Sequence, residues 1–507
     1  MTDGPETILT NGRVFSPSRY APADSDPAPI ADAVAIADGR ITAVGTQSDL
    51  TPAPETEVVD LNDGVILPGF VDAHTHLVHE GMNIVHADLS AATDRDDALD
   101  RLSEQARTTT EEWVIGVGFD ESTWPSPDRP SREALDDVSR DRPVAAVRVD
   151  MHSAVVNTVA LERYGDRIDD RHRVGGGRVV EDGLAIISPV AQPSRTETRR
   201  LVEAAIERAN RRGLTGVHDK VRKSHAPRVY RTLDQIDELT LRIRIDYWSH
   251  HLDAIVETGL VTNHGSEMVT VGAIKTFTDG SIGSRTAKLS RPFSDEPDNR
   301  GSWIVSPDEL RGLASRVDTA GFQLAVHAIG DDAIDETVAV LAEMTPHRHR
   351  IEHAELASDA AIDRMADAGI IASMQPNFHR WAQPDGLYDT ALGPDRTAAS
   401  NRLGTMQEHG VILAFGSDCM PMDPLLGIHH AVNGPTAAQS LSVTDAIRAY
   451  THGSAYAGFN EDEYGQITVG TRADLVILDR SPWAEPTAIQ DIEVQRTIVD
   501  GRSVFVR

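Results

Sequence analysis

A chain of 507 residues with 40% hydrophobic and 25% charged residues can bury one large core and a smaller second one. Its formal net charge of −31 argues against nucleic acid or anionic membrane as partners, because neutralising phosphate takes clustered Lys and Arg. No apolar run reaches the ~18 residues that a membrane span needs, and the single cysteine, Cys419, excludes an internal disulfide framework.

The N-terminal residues Met1–Glu6 place no basic segment ahead of a hydrophobic run, so no secretory leader is expected and the expected location is cytoplasmic. Lysine occurs only at Lys220, Lys223, Lys275 and Lys288, whereas arginine is plentiful. An acidic, lysine-poor surface fits a halophilic protein, whose self-repulsion is screened by the counterions of a high-salt cytoplasm.

In chain order, residues 1–66 read as short strands, Thr7–Val14, Val34–Ile36, Arg40–Val44 and Val58–Leu61, with Asp38-Gly39 and Asp63-Gly64 as turns. Residues 460–507 have the same texture, with Leu475–Leu478, Thr497–Val499 and Ser503–Val506 as strands. Neither end can bury a sheet face alone, so both are expected to build one small β-sandwich. Residues 67–459 alternate β-like runs with helical stretches, the pattern of an α/β fold with parallel strands.

After a first strand at Val65–Ala73 comes a long insertion over about 80–195, with strands at Trp113–Phe119 and Pro143–Val149. The run Gly175-Gly176-Gly177 in it precedes β-like residues rather than a helix, which favours a hairpin over a phosphate loop. Seven further strands follow: Leu214–His218, Leu241–Trp248, Val269–Phe277, Phe322–Ala328, Arg350–Ala354, Gly369–Met374 and Val411–Gly416. Eight strands with intervening helices predict a (β/α)8 TIM barrel, whose chemistry sits at the C-terminal strand ends.

Polar residues at those ends stand out. In Asp72-Ala73-His74-Thr75-His76, the two histidines are two apart on a strand and leave it on one face. Lys275 interrupts an apolar run, His327 and His353 close the fifth and sixth strands, and Asp418 follows the eighth. A lone buried histidine is more often a hydrogen-bonded core residue than a ligand. Four histidines, an aspartate and a lysine in this order form a constellation for two divalent metal ions, with zinc expected.

A buried unpaired ammonium is costly, and burial lowers its pKa. Lys275 is therefore either paired with a carboxylate such as Asp279 or carried as a carbamate, N6-carboxylysine, which is a bidentate anionic ligand. The company of four histidines and Asp418 favours the carbamate.

With these motifs the chain resembles the amidohydrolase superfamily, in particular the family 3 amidohydrolases related to N-substituted formamide deformylase. The likeness runs essentially end to end. It rests on Asp72–His76, on Lys275 with Asp279-Gly280-Ser281-Ile282-Gly283-Ser284-Arg285-Thr286-Ala287, and on His327-Ala328-Ile329-Gly330-Asp331. Ile351-Glu352-His353-Ala354, Gln375-Pro376, Gly416-Ser417-Asp418, Ala473-Asp474-Leu475 and Asp150-Met151-His152-Ser153 with Asn157 extend it. Met151 in place of glycine and Cys419-Met420-Pro421 after the aspartate depart from the family pattern, at positions expected to touch substrate rather than metal.

The resemblance implies that His74, His76 and Asp418 hold one metal, that His327 and His353 hold the other, and that Lys275 bridges them. The expected reaction is hydrolysis of an amide, N-formyl or N-acyl C–N bond in a small molecule by a metal-bridged hydroxide, with Asp418 as general base and acid. His152 is assigned to the substrate carbonyl or developing oxyanion, with a structural role as its alternative. Trp124, Phe378 and Trp381 either line the pocket or simply pack. The rival readings are a mononuclear deaminase or a cyclic-amide or ester hydrolase on the same fold, and a non-catalytic scaffold. Whether the chain acts alone or as a homodimer is left open.

Overall fold

A computed structural model describes residues 5–21, 27–149, 153–187 and 193–507. The chain divides into two compact units: Met1–His76, Glu207–Arg222 and Tyr230–Arg507 in one, Leu77–Ile206 and Lys223–Val229 in the other.

The first unit contains an eight-stranded parallel sheet whose strands neighbour one another in chain order. Its strands are Phe70–Thr75, Leu214–Val221, Arg242–Trp248, Val269–Phe277, Leu324–Ala328, Arg350–His353, Ile371–Met374 and Leu413–Phe415. Most read as continuous apolar runs because both faces are covered. Helices such as Pro307–Thr319, Asp331–Leu341 and Asp359–Ala368 connect successive strands. The first two of these three begin on Ser306 and Gly330, and the third on Ser358; both serines cap their helices by accepting a backbone N–H.

Among the described residues no ladder joins the sheet's two ends, yet side chains and loop backbone draw them together. Asp418 donates its N–H to His74 O at 2.8 Å. The buried Asp72 carboxylate accepts the Ser417 N–H at 3.0 Å and the Ser417 hydroxyl at 2.5 Å. The approach is close enough that a Cβ on Gly416 would lie 2.4 Å from His74 N. The sheet is thus a nearly closed barrel, with the eighth strand brought to the first beside His74.

The same unit holds a seven-stranded sheet drawn from both ends of the chain. In spatial order its strands are Arg502–Val506, Val494–Val499, Leu475–Leu478, Glu57–Pro68, Thr7–Val14, Ala33–Ala37 and Arg40–Gly45. The sequence suggested a sandwich, whereas the strands are hydrogen-bonded as one sheet. The reason is the 12-residue strand Glu57–Pro68, which pairs with Thr7–Val14 on one side and Leu475–Leu478 on the other. Past Gly69 it runs directly into the first barrel strand, so the terminal sheet anchors the strand that carries His74 and His76. Asp474 ties the two sheets further by a two-pronged pairing with the buried Arg242.

The second unit has a six-stranded sheet with Val114–Phe119 and Val144–Arg148 side by side and parallel. The triple glycine joins Arg173–Val174 to Arg178–Val180 as an antiparallel hairpin, as its context indicated. Trp124 lies in this unit's core, donating its indole N–H to Ala92 O at 2.9 Å.

Candidate metal centre

Five barrel strands deliver the six residues singled out in the sequence. His74 lies on the first strand and His76 just beyond it, Lys275 on the fourth, His327 on the fifth, His353 on the sixth, and Asp418 follows the eighth. His74, His76 and Asp418 present ligand atoms all within 4.8 Å of one another. Asp418 Oδ1 is 3.4 Å from His76 Nε2 and 3.6 Å from His74 Nε2. The His353 ring centroid stands 4.8 Å from that of His74 and 4.6 Å from that of His327, so the imidazoles form a continuous row. Backbone geometry bends to achieve this: His353 and Asp418 have φ of 75° and 50°, a conformation unusual for residues bearing a Cβ and often tied to function.

Each imidazole has one nitrogen committed to an acceptor. His74 donates Nδ1–H to Glu352 Oε2 at 2.6 Å, and His76 donates Nδ1–H to Lys220 O at 3.0 Å. His353 donates Nδ1–H to Gln375 Oε1 at 2.6 Å, and His327 donates Nε2–H to Gly280 O at 2.9 Å. In a neutral ring so committed the other nitrogen keeps its lone pair, the arrangement a metal-binding histidine requires. Burial favours the neutral form of three of the rings: it pulls His74 down to about 4 and His353 to about 3, and His327 well below the ordinary value. For His76 burial acts downward too, but hydrogen bonding and the charge of Asp418 outweigh it. Burial acts upward on Asp418, and the surrounding imidazoles reverse it, leaving a firm carboxylate.

Lys275 is wholly buried and, among the described residues, makes no ion pair. Its Nζ sits 4.2 Å from the centre of the Phe277 ring and donates to Thr276 O at 3.4 Å. Pairing with Asp279 is not what holds it, because that carboxylate accepts the backbone N–H groups of Lys288, Ile329 and Gly330. Burial brings the Lys275 ammonium down to about 7, while the charge it carries acts on His76, His327 and His353 alike. An amine so placed, among imidazoles and with the carboxylates of Glu352 and Asp418 acting on it without a direct ion pair, fits a centre completed by cations.

His152, like Asp150 and Met151, lies outside the described residues. Phe378 stacks on the His353 ring with centroids 5.9 Å apart, and Trp381 leans on Phe378 at 4.9 Å. Phe277 stacks on His327 at 4.5 Å.

Sequence reasoning passed over the residues behind the ligands: Glu352, Gln375, Lys220 and Asp246. Lys220 and Asp246 are charged residues within otherwise buried strands, a signal as visible as Lys275 itself.

A profile of the amidohydrolase family matches residues 57–505. The chain belongs to the amidohydrolase family. It is 31% identical to the protein YtcJ of Bacillus subtilis, over 94% of this chain and 96% of that one. It is 26% identical to an N-substituted formamide deformylase of Arthrobacter pascens, over 93% and 94% of the two chains. A crystal structure of an uncharacterized metal-dependent hydrolase from Pyrococcus furiosus superposes with a TM-score of 0.78 at 27% identity, covering 94% of this chain and 99% of that one. This amidohydrolase is a hydrolase acting on carbon–nitrogen bonds, and its centre is one for a divalent metal. Among the described residues no helix is long and apolar enough to cross a membrane.

Proposed function

We propose that this amidohydrolase hydrolyses the C–N bond of a small N-formyl or N-acyl amide at a centre of two zinc ions. His74, His76 and Asp418 would hold one ion, His327 and His353 the other, with Lys275 as N6-carboxylysine between them. The observation that carries this reading is the set of four imidazoles, each fixed at one nitrogen by a protein acceptor, around a buried lysine that forms no direct ion pair among the described residues. The formamide deformylase among the relatives supports the substrate class.

Divalent ions in such a place supply Lewis acidity, polarising a carbonyl and making a water nucleophilic at neutral pH. The remaining work falls to the chain. Asp418, a carboxylate against two imidazole nitrogens, accepts the proton of the attacking water at a carboxylate oxygen and returns it to the departing nitrogen. Phe277 and Phe378 cover the faces of His327 and His353 and keep water from that side, which strengthens the electrostatics within. His152 is proposed to contact the substrate carbonyl.

A single-ion reading, as in a mononuclear deaminase, draws on one observation: only His74, His76 and Asp418 are preassembled within ligand distance of one another among the described residues. Zinc-loaded protein, assayed in high salt against formamides, N-acyl amino acids and cyclic ureides, distinguishes the readings. Release of formate or a carboxylic acid from the first two groups is the expected result. Release of ammonia would replace it with the deaminase reading, and turnover of the ureides alone with that of a cyclic-amide hydrolase.

A further inference from the structure

The four ligand imidazoles are backed by acceptors of different strength. His76 and His327 lean on backbone carbonyls, and His353 leans on the neutral amide of Gln375. Among the described residues, His74 is the ring whose backing acceptor within hydrogen-bond distance is a carboxylate, Glu352 Oε2 at 2.6 Å, whereas Asp279 Oδ1 stands 3.7 Å from His327 Nε2. The Glu352 carboxylate is itself held. Its Oε1 lies 3.0 Å from Arg350 Nε and 3.9 Å from Lys220 Nζ, all three side chains being fully buried. Lys220 is bound in turn to Asp246. Arg350 donates to Ser373 Oγ at 2.9 Å and to His218 Nδ1 at 2.8 Å. Both cations also donate to Ala73 O, at 3.0 and 2.7 Å, so the backbone preceding His74 is fixed by the groups that fix Glu352.

A carboxylate that accepts an imidazole N–H fixes the tautomer and raises the donor strength of the opposite nitrogen, and does so more than a neutral amide. We propose that Glu352 is a positioning residue that locks the His74 ring and strengthens its Nε2 as a ligand. The position of His74, His76 and Asp418 then binds a divalent ion more tightly than the position of His327 and His353. This rests on the two-ion reading given above, and its prediction is an order of filling.

The test uses the full chain, stripped of metal and titrated with zinc against a competing chelator in molar KCl. The wild type should show a tight step and a weaker one. Glu352→Gln, which keeps shape and an acceptor but loses the charge, should weaken the tight step by about 10–100-fold and leave the other unchanged. Cobalt added to one equivalent should give a shifted visible spectrum in this variant. Gln375→Glu should do the converse, strengthening the weaker step by about tenfold, and serves if Glu352→Gln is not recovered folded. Unchanged zinc steps in Glu352→Gln, or a loss of thermal stability without selective loss of the tight step, would mean that Glu352 only braces the barrel and would overturn the proposal. A wild type that takes up one zinc or none would overturn the two-ion reading itself.

Discussion

Nε2 of His76 and Oδ1 of Asp418 stand 3.4 Å apart, although they follow the two strands at opposite ends of the barrel's strand order. The seam that lacks a ladder is thus the place where side chains from the first and eighth strands converge, and a cation there would join what backbone hydrogen bonds do not.

Metal removal should consequently cost stability. An ion that binds only the folded state contributes ~2.7 kcal/mol at a hundred times its dissociation constant. Chelation should lower the melting temperature of the wild type by several degrees, and zinc should restore it. In His76→Ala the restoration should be largely lost, because the seam keeps only His74 and Asp418. Differential scanning calorimetry with and without zinc checks this.

In the proposed mechanism Asp418 has two duties, ligand and proton carrier, that an amide separates in part. Asp418→Asn should keep most of its metal while kcat falls about 10²–10⁴-fold. Parallel metal analysis and steady-state kinetics read the two duties independently, and undiminished turnover would remove Asp418 as the proton carrier.

The barrel was legible because its strands are buried on both faces and read as apolar runs bounded by turns. Against that background Lys275, His327 and His353 are conspicuous, and the order of polar strand-end residues along the chain carried the rest. Partners across the barrel were not legible: Glu352 looks like a neighbour of His353 in sequence, yet its carboxylate serves His74, 278 positions away. Trp124 shows the complementary difficulty. Its sequence context leaves lining a pocket and packing equally open, and only the fold shows it hydrogen-bonded to Ala92 in a core. The single terminal sheet was hidden for a related reason, since the length of the strand at Glu57–Pro68 exceeds the apolar stretch that marks it.

Lys275 gives a pH prediction. Its amine is brought down to about 7 in the folded protein, chiefly by burial, and titrates near 10.4 when unfolded. Between these values the unfolded chain binds more protons, so this group makes metal-free stability rise with pH across that window, its full cost being felt below about 7. Lys275→Met should flatten that slope and stabilise the metal-free protein at pH 7 by on the order of 1–3 kcal/mol, while abolishing the second zinc. Urea unfolding at pH 7 and pH 10 measures the difference.

A second expectation concerns the same amine. In wild-type protein equilibrated with zinc and ¹³C-bicarbonate, a carbamate carbon signal should appear, and Lys275→Met should lack it. An unlabelled wild type would leave the lysine as a buried amine beside the metals.

With a formal charge of −31, self-repulsion should dominate stability at low ionic strength. Moving from dilute buffer to molar KCl should raise the melting temperature. Equal melting in both would set the halophilic reading aside.

The central claim is that six side chains on one barrel rim hold a pair of cations. Zinc content of metal-reconstituted, extensively dialysed wild-type protein, measured by plasma mass spectrometry against amino-acid analysis, tests it most directly. Two zinc ions per chain are expected, falling to one in His327→Ala; one or none in the wild type would contradict the claim.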